Sequence, residues 1–331
     1  MSESQSRQGA IASQQPLAVR VGAEFAGSFF VCFAIYMMYS ISAILFGVNM
    51  PFYVLATALA YAAVTAMFSK ISGGQINPAV TIASMLTNAT AVLDGILYII
   101  AQVLGATAAA AVLRFILPTN DTVTLKTWFS TAVNGFDSAS PTYSILSSAN
   151  INFGVTMAIV AELIAGLIIV GTALRTSGAH CHGAGSHARA WSIGAAYGVA
   201  TTITYPITGA ALNPARSTGI ALLGMNADLT QNPVEQLWVF WICPVLAAAI
   251  VSLVVIVARM IASNATRPTN AVAVDASQSV EAADETASEE TEIADSEDAG
   301  TDNGNETTNQ AESPVAEDND GAQADDADAT K

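Results

Sequence analysis

Residues 73–79 read GGQINPA, and residues 209–215 read GAALNPA. Each leads into a short apolar stretch, 77–87 (NPAVTIASMLT) and 213–223 (NPARSTGIALL). These stretches are too short to cross a bilayer, which takes roughly 20 residues for about 30 Å of hydrocarbon. Asparagine is a good N-cap, and proline is tolerated at the first helical position because its missing N–H has no partner there anyway. The pair therefore reads as two half-helices that begin inside a membrane, rather than as two surface turns.

The surroundings fit a membrane. The 331 residues are 52% hydrophobic and only 11% charged, with a mean hydropathy of +0.47; soluble domains carry about 25% charged residues. Six runs are long and apolar enough to span, near 21–45, 51–69, 93–117, 152–174, 191–208 and 235–258. Residues 1–20 are polar and lack the apolar core of a signal peptide, so the first run is expected to stay as a helix. With the N-terminus in the cytoplasm, Arg7, Arg20, Lys70, Arg175, Arg189, Arg259 and Arg267 all fall on the cytoplasmic side. Arg114 and Lys126 fall outside, and Arg216 lies within the apolar frame. This bias sets the orientation and puts both termini in the cytoplasm; the expected location is the plasma membrane.

The net charge of -16 is uneven: 19 of the 27 acids lie in 271–331, leaving 8 acids against 10 Lys and Arg before them. No basic patch suits nucleic acid. Cys32, Cys181 and Cys243 are too scattered for a disulfide framework or a zinc site. The expected organisation is a cytoplasmic N-terminal tail over 1–20, a channel-like domain over 21–262, and an acidic tail over 263–331. That tail has no aromatic residue and is expected to be disordered.

The chain repeats itself. Ala23-Glu24-Phe25 with Gly27 returns as Ala161-Glu162-Leu163 with Gly166, and the Glu-to-Asn separations are 53 and 51 residues. Each half, about 21–117 and about 152–258, holds three spans and one half-helix. An odd number of spans turns the second half upside down relative to the first. The fold class is thus an all-α membrane protein of six transmembrane helices and two re-entrant half-helices, which meet N-terminus to N-terminus.

Each helix N-terminus carries about half a positive charge and unpaired N–H groups, so two facing N-termini repel cations. Asn77 and Asn213 are expected to aim amide donors at one water, fixing its orientation and breaking any proton wire. Gly73, Gly74, Gln75 and Ile76, with Gly209, Ala211 and Leu212, can turn carbonyls toward the same path. Arg216 reads as a pore donor and cation barrier. Glu24, Glu162 and Gln102 read as anchors for the irregular loops.

AEFAGSFF in the first span, ISGGQINPAV, AQVLGA, GAALNPARS and QLWVFWICP together resemble the aquaporin (major intrinsic protein) family over about 20–260. The resemblance implies a homotetramer of six-span protomers in a lipid bilayer, each with a pore for water or small neutral solutes. It implies neither an enzyme nor a cofactor. Asn77, Pro78 and Ala79, with Asn213, Pro214 and Ala215, match the paired pore motifs. Ser217, Ala221, Phe240 and Trp241 resemble the water-selective branch. Counted ungapped from the motifs, the selectivity constriction falls on Thr57, Thr201, Ala210 and Arg216, without the aromatic and histidine usual in water-selective members. The expectation is a wide pore passing water with glycerol, urea or metalloid acids. Tyr61, one helical turn from Thr57, enters only if that alignment slips.

A strictly water-selective channel, a secondary transporter and a poorly conducting membrane scaffold are the alternatives. His180, Cys181, His182 and His187 lie in a loop that reads as flexible, with a metal- or pH-sensitive gate as its rival. The polar loop 118–150 specifies no ligand, and the tail names no partner.

Overall fold

Long uninterrupted apolar runs form helices because a membrane helix satisfies its own backbone. In the computed structural model, which describes residues 15–177 and 186–265, these are α1 (Leu17–Phe46), α2 (Met50–Phe68), the short α3 (Pro78–Leu86) and α4 (Val92–Ile116). Two brief helices, α5 (Leu125–Phe129) and α6 (Tyr143–Leu146), lie in the connection that follows. The second half repeats the pattern with α7 (Val155–Thr176), α8 (Ser186–Thr208), the short α9 (Pro214–Gly224) and α10 (Leu237–Ala265). Most of the acidic tail, most of the His/Cys loop and residues 1–14 lie outside the described residues.

Of the six expected spans, five are long and apolar enough to cross a membrane. The exception is α8, which at 23 residues has the length but is more polar. Its threonines explain how it tolerates that polarity. Thr201, Thr202 and Thr204 donate their hydroxyls to carbonyls one turn back, at 2.8, 3.0 and 2.8 Å, and Thr208 donates its own to Glu162. A hydroxyl bonded in this way brings no unpaired donor into an apolar setting. The first helix also begins earlier than expected, at Leu17, because Arg20 is accommodated by Asp94 at 2.6 Å and the Tyr98 hydroxyl at 3.1 Å.

Packing maps the two halves onto each other. In the first, α1 packs on α4 and α2; in the second, α7 packs on α10 and α8. Across the halves α2 packs on α8, α3 on α10 and α9 on α4. Each half-helix is therefore held by the last long helix of the other repeat. Small residues permit the close approach. A Cβ on Gly219 of α9 would stand 2.5 Å from the Ala106 backbone of α4. Gly219→Val is expected to cost about 3 kcal/mol or more, at the upper end of overpacking because backbone cannot give way. Thermal unfolding of the detergent-solubilised protein checks this, and an unchanged midpoint would show that α4 and α9 can separate freely.

Candidate functional site

The site begins with two helix caps. Asn77 Oδ1 accepts from the Ala79 N–H at 2.9 Å, and Asn213 Oδ1 accepts from Ala215 at 2.9 Å and Arg216 at 3.3 Å. Pro78 and Pro214 open the two helices. With their oxygens committed, the carboxamides turn their Nδ2 atoms outward and across. Asn77 Nδ2 donates to the Leu212 carbonyl at 3.1 Å, and Asn213 Nδ2 to the Ile76 carbonyl at 2.8 Å. Each cap thus bonds the residue that precedes the other cap. The two half-helices meet N-terminus to N-terminus, and both asparagines are fully buried.

The approach loops are irregular. Ile76, Ala210 and Leu212 hold positive φ angles of 52°, 56° and 56°, uncommon for non-glycine residues and costly unless the surroundings hold them. Buried carboxylates do the holding. Glu24 accepts from the Ser72 hydroxyl (2.6 Å), the Gln75 and Ile76 amides (3.0 and 2.7 Å) and Gln102 Nε2 (2.8 Å). Gln102 also donates to Thr81 at 3.0 Å, which ties α4 to α3. Glu162 repeats the arrangement, accepting from the Thr208 hydroxyl (2.5 Å) and the Ala211 and Leu212 amides (3.2 and 2.9 Å).

Several loop carbonyls are engaged by protein donors. Gly73 accepts from Arg189 at 2.9 Å, Gly209 from Asn134 at 2.8 Å, and Ala211 from the Asn213 amide at 2.5 Å. A carbonyl has two lone pairs; Gly209 also accepts from Arg216 at 3.4 Å, so one remains on Gly73 and one on Ala211.

Arg216 is 1% exposed and has no ion-pair partner among the described residues. One Nη donates to Asn134 Oδ1 (2.7 Å) and the Ala210 carbonyl (2.8 Å), while its Nε is buried without a partner. Asn134 lies in the connection between the halves and also accepts from Ser217 at 2.9 Å. That connection, which the sequence left without a function, thereby supplies a residue of the site.

Two facing N-caps on half-helices, repeated anchoring carboxylates and a buried arginine beyond the second cap agree with what comparison finds. The family model described as "MIP: Major intrinsic protein" matches residues 12–255. The chain belongs to the major intrinsic protein family. It is 34% identical over 205 residues to aquaporin Z of Brucella melitensis, covering 62% of this chain and 78% of that one. Aquaporin Z of Photorhabdus laumondii is 32% identical over 204 residues, with the same coverage. The solved aquaglyceroporin of Plasmodium falciparum aligns over 72% of this chain and 95% of its own, with a TM-score of 0.52 and 18% identity, a likeness of fold. Major intrinsic proteins are integral membrane channels and not enzymes. Among the described residues no group of three or more His, Cys, Asp or Glu side chains could hold a metal.

Within this family frame, aromatic residues stand beside the residues expected at the constriction. Thr57 and Thr201 are both buried, as are Ala210 and Arg216. The room expected beside Arg216 is not empty. Tyr39, from α1, sets its hydroxyl 2.8 Å from Thr57 Oγ1, beside Thr201, and its ring 5.4 Å from the Arg216 guanidinium carbon. Tyr39 is backed by Tyr53 and Tyr205, with ring centroids at 4.5 and 5.4 Å. Tyr36, also on α1, donates to the Arg216 carbonyl at 2.5 Å.

Tyr61 reaches the second cap rather than Thr57. Its hydroxyl accepts from Asn213 Nδ2 at 3.0 Å, and Tyr197 accepts from Asn77 Nδ2 at 2.7 Å. Tyr36, Tyr39, Tyr197 and Asn134 were not singled out by the sequence reading. Tyr61 and Tyr197 carried one signal, a tyrosine one helical turn from a constriction threonine, after Thr57 and before Thr201. Cavities of about 470 and 440 Å³ lie on either side of the junction, one bordered by Gly73, Gln75 and Arg189, the other by Asn134, Ser140 and Lys126.

Proposed function

We propose that this protein passes water and small uncharged solutes down their gradients, between Asn77 and Asn213 and past Arg216, while holding back ions and protons. The observation that carries the reading is the junction of the two caps, where two helix N-termini and a buried arginine put positive potential on one path. Thr57, Thr201, Ala210 and Arg216 form the constriction in this reading, and Tyr39 is its fifth wall. A phenol ring in the space between two threonines tightens the size limit, favouring water over glycerol, urea or metalloid acids. The remaining lone pairs of the loop carbonyls offer acceptors along the way.

In the same reading the channel domain covers about 21–262 with both termini in the cytoplasm. The exposed apolar residues of the long helices, among them Leu55, Ile100, Ile164 and Leu253, face lipid or neighbouring protomers of a homotetramer in the plasma membrane. Stopped-flow light scattering on proteoliposomes tests the function with a series of osmolytes. Water flux above that of protein-free vesicles is expected, with slower entry of urea and glycerol. Tyr39→Ala is expected to raise glycerol entry by about tenfold, since removing a buried ring opens the site. No water flux above background would end the channel reading, and an unchanged glycerol rate in the variant would end the role of Tyr39.

A further inference from the structure

Each amide nitrogen at the junction has two N–H groups, and both are taken. Asn77 uses one on the Leu212 carbonyl and one on the Tyr197 hydroxyl; Asn213 uses one on the Ile76 carbonyl and one on the Tyr61 hydroxyl. The sequence reading reserved those second donors for a permeating water. In their place stand two phenol oxygens, one from each repeat. The rings lie face to face, with centroids 3.3 Å apart and planes within 6°. That is closer than the roughly 4.5–7 Å at which aromatic pairs settle, and the face-to-face sandwich is not their preferred geometry. No water fits between two rings at this spacing. Both tyrosines are at most 2% exposed, as are Thr57, Thr201 and Arg216.

We infer that Tyr61 and Tyr197 form a second, narrow selectivity element at the paired caps, in series with the Thr57–Thr201–Arg216 ring and sharing with it the exclusion of larger solutes. The inference rests on the channel reading above. Tyr61 and Tyr197 sit on α2 and α8, which pack against each other across the repeat, so the pair closes the path at the point where the two halves meet. A water oxygen can replace each phenol oxygen on its asparagine, acceptor for acceptor. Passage then requires the rings to part and the two amide bonds to be exchanged. Water meets that requirement because it reproduces the lost hydrogen bonds in a small volume. A polyol needs the rings to move further and leaves one amide less well matched.

The test uses the full-length protein in proteoliposomes and compares three forms for water and glycerol flux per protein. These are wild type, the double variant Tyr61→Val with Tyr197→Val, and the double variant Tyr61→Phe with Tyr197→Phe. The valine pair, which removes both the two exchanged hydrogen bonds and the rings that must part, is expected to raise water flux by about thirtyfold or more. It is also expected to admit glycerol. The phenylalanine pair, which keeps the ring volume and with it the packing, is expected to raise water flux less and still exclude glycerol. A valine pair that conducts water no faster than wild type and still excludes glycerol, while eluting as the same assembly on size exclusion, overturns the inference and leaves the channel reading standing. If the valine pair aggregates, a phenylalanine pair as glycerol-permeable as wild type supports the inference, and one that freely passes glycerol overturns it. Background flux from every form overturns both.

Discussion

Glu24→Ala is expected to lower the unfolding midpoint by roughly 10 °C and to cut the yield of folded protein sharply. The carboxylate accepts from four donors, the Ser72 hydroxyl, the Gln75 and Ile76 amides and the Gln102 amide, of which all but Gln75 belong to buried residues. Each buried donor left unpaired costs about 1–3 kcal/mol. The costs are not additive because the loop relaxes, so a total near 4 kcal/mol is a fair expectation, or roughly 10 °C for a domain of this size. Glu24→Gln keeps the volume and one acceptor oxygen but points an amide group at remaining donors, so its loss should be intermediate. Thermal unfolding of both variants in detergent is the check. A Glu24→Ala midpoint within about 2 °C of wild type, less than the loss of even one buried hydrogen bond would give, would mean that the loop holds its positive-φ residues without the carboxylate.

Arg216→Val is expected to raise proton flux through proteoliposomes by about tenfold, read with a pH-sensitive dye trapped inside. Arg216 is the buried positive charge just beyond the second cap, bonded to carbonyl and amide oxygens and, among the described residues, in no direct ion pair, while the buried Glu162 carboxylate is taken up by the loop before the cap. In a low-dielectric setting a fixed positive charge acts on a passing cation far more strongly than it would in water, so its loss removes a barrier of at least the 1.4 kcal/mol that a tenfold change represents. Arg216→Lys separates charge from shape. A lysine keeps the charge but lacks the planar fork that engages Asn134 and Ala210 together, so proton exclusion should persist while stability falls. Equal proton flux in wild type and Arg216→Val would place the proton barrier wholly at the Asn77–Asn213 junction.

Much of this was legible in the chain. Asn-Pro-Ala followed by a run too short to span a bilayer can do little other than start a half-helix, because the cap and the fixed φ of proline are local properties. Glu24 and Glu162 stood out because a carboxylate in an apolar run needs donors, and each recurs at nearly the same distance from its asparagine. Arg216 stood out for the same reason. The tyrosines did not. In an apolar helix a tyrosine reads as core, and nothing local says which way its hydroxyl points. Tyr39 is 18 residues from Thr57, Tyr197 is 120 from Asn77, and Asn134 is 82 from Arg216. The surroundings of the expected constriction were not legible either: counting along α2 and α8 finds two threonines, but the phenol hydroxyl 2.8 Å from Thr57 comes from α1.

The sequence by itself determined the membrane setting, the two-fold repeat, the half-helices and the charge at their meeting point. All of these follow from apolar length, capping chemistry and the cost of burying an ionisable group, which act over a few residues or are summed along one helix. Only the tertiary structure decided what fills the path, because that depends on which helices pack together. Tyr39 reaches Thr57 by the packing of α1 on α2, and Tyr61 meets Tyr197 by the packing of α2 on α8. The oxygens that occupy the asparagine donors are therefore set by side-chain directions across the repeat, which residue order does not encode one position at a time.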